Sequence, residues 1–186
     1  EIIDASSMDE VARLYSMFDE PTSSRSSMEM LDGGRVAERL GFSRKIASAL
    51  YRAVPLLLND LEPLGPADQS SDVRDSDVRL EEMAEWAPAA RTFASIIALA
   101  DSATQRSLLT QGVMASALFT LHHAPKLATE FWEGLADNDG LRKNDPRARL
   151  LSDFHNRAVN QGSIRQRVQR VAVAWNAFVE GRSLSI

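Results

Sequence analysis

The sequence predicts an all-α protein, a multi-helix orthogonal bundle in two lobes, and three observations carry that expectation. Apolar residues recur three and four positions apart through most of the chain, the spacing of a buried helix face. No segment alternates apolar and polar residues with period two over a useful length, as a half-buried strand would. The interruptions between periodic stretches fall on prolines, glycines and helix-capping Ser, Asp or Asn.

The elements follow in chain order. Glu1-Ile2-Ile3-Asp4 is too short to stand alone and reads as the end of a strand whose sheet is missing. Ser6 and Ser7 offer N-caps, Asp9 and Glu10 suit the positive end of a helix dipole, and Val11, Leu14, Tyr15 and Phe18 form an amphipathic stripe. Pro21 and Thr22-Ser23-Ser24-Arg25 stop it, and a short helix capped by Ser26 or Ser27 runs through Leu31 to Gly33-Gly34. A third helix over about Arg35–Leu40 closes on Gly41, and a fourth runs from Ser43 toward Leu61, with Pro55 expected to kink or break it. Glu62–Ser76, with Pro63, Gly65, Pro66 and a Ser/Asp cluster, is the expected linker between a lobe at 1–61 and a bundle at 77–186.

Beyond Asp77 the pattern is helical almost throughout. Val78–Ala87 leads to Pro88, read as the first residue of a new helix whose Ala90–Ala100 part is apolar on most sides. Ser102 is expected to cap a single helix through Leu108, Leu109, Val113, Leu118 and Leu121 to His122-His123. Pro125 restarts a helix with Phe131 and Trp132, Asn138-Asp139-Gly140 is a turn, and Pro146 opens a helix with Leu150, Leu151 and Phe154. Gly162-Ser163 precedes the last helix, whose Ile164, Val168, Val171, Trp175 and Phe178 form a strong stripe before Gly181. On that stripe Trp175 is expected to be buried near Phe131 and Phe154.

Composition narrows the chemistry. With no cysteine the chain has no disulfide, thiolate metal site or cysteine nucleophile, which fits a reducing compartment and a cytoplasmic location. No apolar run approaches the ~18 residues of a membrane span, and no basic-then-apolar leader opens the chain. It begins at Glu1 without an initiator methionine and reads as a fragment or a processed product. Gly-x-x-x-x-Gly-Lys, Gly-x-Gly-x-x-Gly and Gly-x-Ser-x-Gly are all absent, and His122, His123 and His155 do not fall at metal-ligand spacings. The expectation is therefore a protein that is not an enzyme, with no cofactor and no metal.

Charge is uneven. Residues 1–140 hold 12 Lys/Arg against 23 Asp/Glu, whereas 141–186 hold 9 against 3, although the whole chain is −5. The basic end is either a solvated helix face or a surface for phosphates or an acidic partner.

The most specific local pattern is Arg35-Val-Ala-Glu-Arg-Leu-Gly-Phe-Ser-Arg-Lys-Ile-Ala-Ser-Ala-Leu50. A helix-turn-helix needs a small residue where its helices cross, here Ala37, and a glycine in the turn, here Gly41. Val36, Leu40, Phe42, Ile46 and Leu50 supply apolar packing positions, although Ala47 stands where a branched residue is usual. A second helix capped by Ser43 would present Arg44, Lys45, Ser48 and Arg52 to a DNA groove. The competing reading is a plain short-turn helix pair. Arg142, Lys143, Arg165, Arg167 and Arg170 would add phosphate contacts that position without specifying sequence.

Leu14-Tyr15-Ser16-Met17-Phe18-Asp19 with Ser24-Arg25-Ser26 resembles a segment of ParB-like proteins of phages and mobile elements that follows their small α/β domain. Phe131-Trp132-Glu133-Gly134-Leu135, the turn from Leu141 to Asp145-Pro146, and Ala174-Trp175-Asn176-Ala177-Phe178 with Gly181-Arg182 resemble the C-terminal helical region of the same proteins. The family's Asp-Gly-x-His-Arg-like core motif has no counterpart here, so any activity it carries would lie upstream of Glu1. The resemblance implies a helical module that binds duplex DNA or a partner. The alternative from another class is a helical protein-interaction or oligomerisation module without DNA binding; in either case a homodimer with the last helix or its neighbour in the contact is expected.

Overall fold

The structure, a computed structural model, describes residues 36–62, 76–138, 140–156 and 162–184. The strand end at Glu1–Asp4 and the helices expected around Val11–Phe18 and Ser26–Leu31 lie outside the described residues. Among those described, the fold is an all-α bundle of eight helices without strands. In chain order they are α1 (Val36–Leu40), α2 (Arg44–Leu57), α3 (Ser76–Ile97), α4 (Ser102–Leu108), α5 (Gln111–His123), α6 (Pro125–Asp137), α7 (Pro146–His155) and α8 (Ile164–Val179).

Helix α5 organises the bundle. Its residues Gly112–Leu118, Thr120 and Leu121 are buried, so it is apolar around its whole circumference, as a central helix must be. Helices α2, α3, α6 and α8 pack around it, and α7 packs against α8, α6 and α4. The core is a single cluster that runs from Leu50 and Val54 of α2 through Met83 and Phe93 of α3 to Trp132 of α6 and Leu150 of α7. Helix α2, on the N-terminal side of the 62–76 segment, therefore shares one core with the helices beyond it. An aromatic group forms its heart: Trp132 is fully buried, edge-on to Phe93 and Phe131, and its indole N–H donates to the hydroxyl of Thr120 at 2.9 Å.

Several boundaries differ from the sequence reading, each for a local reason. Pro88 does not begin a helix; α3 runs through it as one 22-residue element. A proline removes one backbone N–H, and the carbonyl it strands belongs to Ala84. Both residues are exposed, so water can satisfy that carbonyl and the helix continues. Pro55 is likewise accommodated in the last turn of α2, which ends at Leu57 rather than Leu61. There Asp60 and Leu61 adopt left-handed backbone, and the Leu61 N–H closes back on the Leu56 carbonyl at 2.7 Å.

The single helix expected over 102–123 is two, α4 and α5, parted at Leu109-Thr110. The Thr110 hydroxyl donates to the Ser107 carbonyl at 2.7 Å, offering the chain a side-chain alternative to the helical ladder. The cap of α4 is Asp101 rather than Ser102, and its carboxylate accepts from the N–H groups of Ala103 and Thr104. Helix α8 begins on a capping box between Ser163 and Gln166. Trp175 meets Phe131 edge-on at 5.4 Å and stacks on Phe178, but it is half-buried rather than buried.

Candidate nucleic-acid interface

The turn between α1 and α2 is built by Gly41. Its φ of +72° is left-handed, and it is followed by the Phe42 N–H donating to the Ala37 carbonyl at 2.8 Å while its own N–H reaches Glu38 at 3.1 Å. That pair of bonds is a Schellman closure, which turns the chain within three residues. Ser43 then caps α2, its hydroxyl accepting from the Ile46 N–H at 3.4 Å.

Helix α2 is sharply divided. Ile46, Ala47, Ala49, Leu50, Tyr51, Ala53, Val54, Leu56 and Leu57 are buried against α3 and α5. Ala47, where a branched residue was the expectation, is wholly buried. Arg44, Lys45 and Arg52 are exposed and Ser48 is half-buried between them. Steps of four residues put Arg44, Ser48 and Arg52 on one stripe, with Lys45 beside it. The Arg52 Nε–H donates to the Ser48 carbonyl at 3.2 Å, laying that side chain along the stripe. From Arg39 to Asn59 the chain contains four cations and no acid, in a protein whose net charge is −5. Neighbouring cations sit on aromatic rings: Arg91 of α3 lies 6.0 Å from the Phe42 ring centre and Arg79 5.4 Å from that of Tyr51.

The five supporting cations do not form one surface. Arg142 and Lys143 are exposed in the loop between α6 and α7, where the Arg142 carbonyl accepts from the Asp145 N–H. Arg165 is exposed on α8. Arg167 is two residues on, about 200° around the helix, and is turned toward α5. A Cβ on Gly112 would come within 3.2 Å of its Cβ. Arg170 borders a shallow groove of about 470 Å³ between α7 and α8, near the Arg149–Asp153 ion pair. Arg147, also in the basic stretch, is a structural staple: its guanidinium pairs with Asp145 at 2.8 Å and lies over the Phe178 ring. The pairing holds the Asp145 carboxyl below its ordinary range and raises the Arg147 guanidinium.

One polar constellation has no signal in the sequence. The Thr104 hydroxyl lies 3.0 Å from an oxygen of Asp101 and 3.2 Å from Nε2 of His155, and Asp101 and His155 line an open cleft between α4 and α7. An ionised carboxylate only accepts, so the threonine proton goes to Asp101 and His155 must donate from Nε2. That direction is the reverse of what activates a hydroxyl nucleophile, where the hydroxyl donates to the imidazole. Thr104 is also buried. The chain of bonds ties α4 to α7. Asp101 is held below its ordinary range first by the Thr104 N–H, then by the Ala103 N–H and the Thr104 hydroxyl. His122 and His123 are exposed and lie against Trp86 and Phe119. Among the described residues no three His, Asp or Glu side chains approach one another closely enough to hold a metal ion, and no helix is long and apolar enough to cross a membrane.

No family model, curated protein or solved structure matches this chain.

Proposed function

We propose that this chain is a DNA-associated binding module without enzymatic activity, gripping duplex DNA through α1, the Gly41 turn and α2, with Arg44, Lys45, Ser48 and Arg52 facing the groove. The observation that carries the reading is the charge at the start of α2. Arg44 and Lys45 occupy the first turn, which holds no acid, although a helix dipole favours acids there and disfavours cations. Helix stability does not explain that placement, whereas a polyanionic partner does. The acid-free run from Arg39 to Asn59 and the burial of the opposite face support the same reading. The resemblance to ParB-like proteins of phages and mobile elements points the same way and makes the module an accessory DNA-binding part of such a protein. Arg165, Arg142 and Lys143 are the supporting phosphate contacts best exposed for that role.

The test is a fluorescence-anisotropy titration of a labelled duplex across a salt series. Binding should weaken steeply with salt, because each neutralised phosphate releases counterions. Arg44→Ala with Lys45→Ala should lose binding while keeping the thermal melt of the parent. Absence of duplex binding at low salt overturns the proposal.

A second reading, a helical oligomerisation module, is favoured by two exposed apolar side chains of α8, Val173 at 57% and Val179 at 49% exposure. Sedimentation velocity separates the two. A homodimer that forms equally with and without duplex supports the interaction module, and a species that appears only with duplex, and less at high salt, supports DNA binding.

A further inference from the structure

Resting on the DNA-binding reading, we propose that Arg91 of α3 is a further phosphate contact of the same surface, held ready by the aromatic ring of the α1–α2 turn. Arg91 is far from α2 in sequence, but α3 packs against both α1 and α2. Its guanidinium lies 6.0 Å from the centre of the Phe42 ring, one residue before the cap of α2. Phe42 is itself half-buried against the core, so the ring is a fixed seat. A guanidinium over an aromatic face keeps its edge N–H groups free to donate, and the seat restricts a side chain that would otherwise lose rotamer freedom on binding.

Along its own helix no acid lies within one turn of Arg91, so an ion pair within α3 does not explain it; the acid on the neighbouring α1 is Glu38, which is exposed. The neighbours of Arg91 one turn away on α3 are Ala87, Pro88, Ala94 and Ser95, none of them acidic, although Glu81, Glu82 and Glu85 crowd the earlier turns of that helix. The residue is exposed, so stability does not demand a cation there. Arg39 of α1 and Lys45 of α2, both exposed, lie within three residues of Phe42 in sequence, so three helices that pack together each bring a cation to the region of the Gly41 turn, with Glu38 beside them. Cations brought from three packed helices suit the phosphate backbone of a duplex, whose charges repeat along a strand.

The experiment uses the full chain with a labelled duplex and measures affinity against salt for five proteins: the parent, Arg91→Gln, Phe42→Leu, Arg106→Gln and the double variant Arg44→Ala/Lys45→Ala. Arg106 is an exposed cation on α4, a helix outside this group, and controls for loss of one charge anywhere. Arg91→Gln should weaken binding several-fold at low salt and reduce the slope of log K against log salt by about 1, the signature of one lost phosphate contact. Phe42→Leu should weaken binding less and leave the slope unchanged, since the charge remains but its seat is gone. If Arg91→Gln matches Arg106→Gln while Arg44→Ala/Lys45→Ala loses binding, the role of Arg91 is overturned and the DNA reading stands. If the parent binds no duplex, both fall together.

Discussion

Lys45 illustrates a conflict between what a fold wants and what a binding surface wants. Replacing it by glutamate would put an acid at the positive end of α2, which ordinarily gains about 0.3–1 kcal/mol. Lys45→Glu is therefore expected to melt at the same temperature or slightly higher while losing duplex affinity, a pairing that calorimetry and anisotropy would reveal. A fall in stability would show that Lys45 serves the fold instead. The reverse case is Thr120, buried in α5 away from the proposed DNA surface. Its hydroxyl is the acceptor for the buried indole N–H of Trp132. Thr120→Val keeps the shape and orphans that donor, at a cost of about 1–3 kcal/mol in denaturant unfolding. Two capping carboxylates bear on stability in acid. Asp101 and Asp145 both have folded pKa values below the ordinary carboxylate value. Their contribution is thus complete above the unfolded pKa of roughly 3.9 and disappears as pH falls through the lowered folded values. Asp145→Asn should flatten stability against pH in that acid window, and an unchanged acid limb would show that the Arg147 pairing contributes nothing.

At the level of elements, close approach and turn geometry dominate. Gly112 lets α8 lie against α5: a Cβ there would meet the Ile164 carbonyl oxygen at 3.0 Å and Val168 Cγ2 at 3.3 Å. Gly112→Ala should gain about 1 kcal/mol of helix propensity yet lose more by prising the helices apart, for a net loss of about 1–2 kcal/mol. A more stable variant would show that the interface yields freely. Most helices were legible because burial on one face imposes a 3.6-residue rhythm, and α2, α7 and α8 carry that rhythm with side-chain caps, α6 with a proline in its first turn. The departures share a cause. Pro88 and the Leu109-Thr110 break depend on whether a carbonyl faces water or a side chain, and the sequence does not record facing. The polar stripe of α2 was legible for the same local reason that α2 itself was, since Arg44, Ser48 and Arg52 are one turn apart. Arg91 over Phe42, and Thr104 beside His155, were not: each joins residues roughly fifty apart whose meeting depends on how whole helices pack.

For the molecule as a whole, the shared core has a direct thermodynamic reading. Because Leu50 and Val54 lie in the same cluster as Phe93, Leu118 and Trp132, the residues on either side of 62–76 cannot part without opening it. Thermal unfolding followed by far-ultraviolet dichroism and by tryptophan fluorescence should therefore give coincident, single transitions. Two separated transitions would mean that α2 and its surroundings melt independently. The position of α5 carries this further, into time rather than energy. A helix enclosed by four others has no route by which its backbone can meet solvent while its neighbours stay folded. Its amide protons from Ala115 to Leu121 should be the last in the protein to exchange with deuterium, at a rate reporting the complete unfolding of the chain. Among the described helices those of the five-residue α1 should be gone first, so the α1 half of the proposed DNA grip would also be its most readily reshaped part.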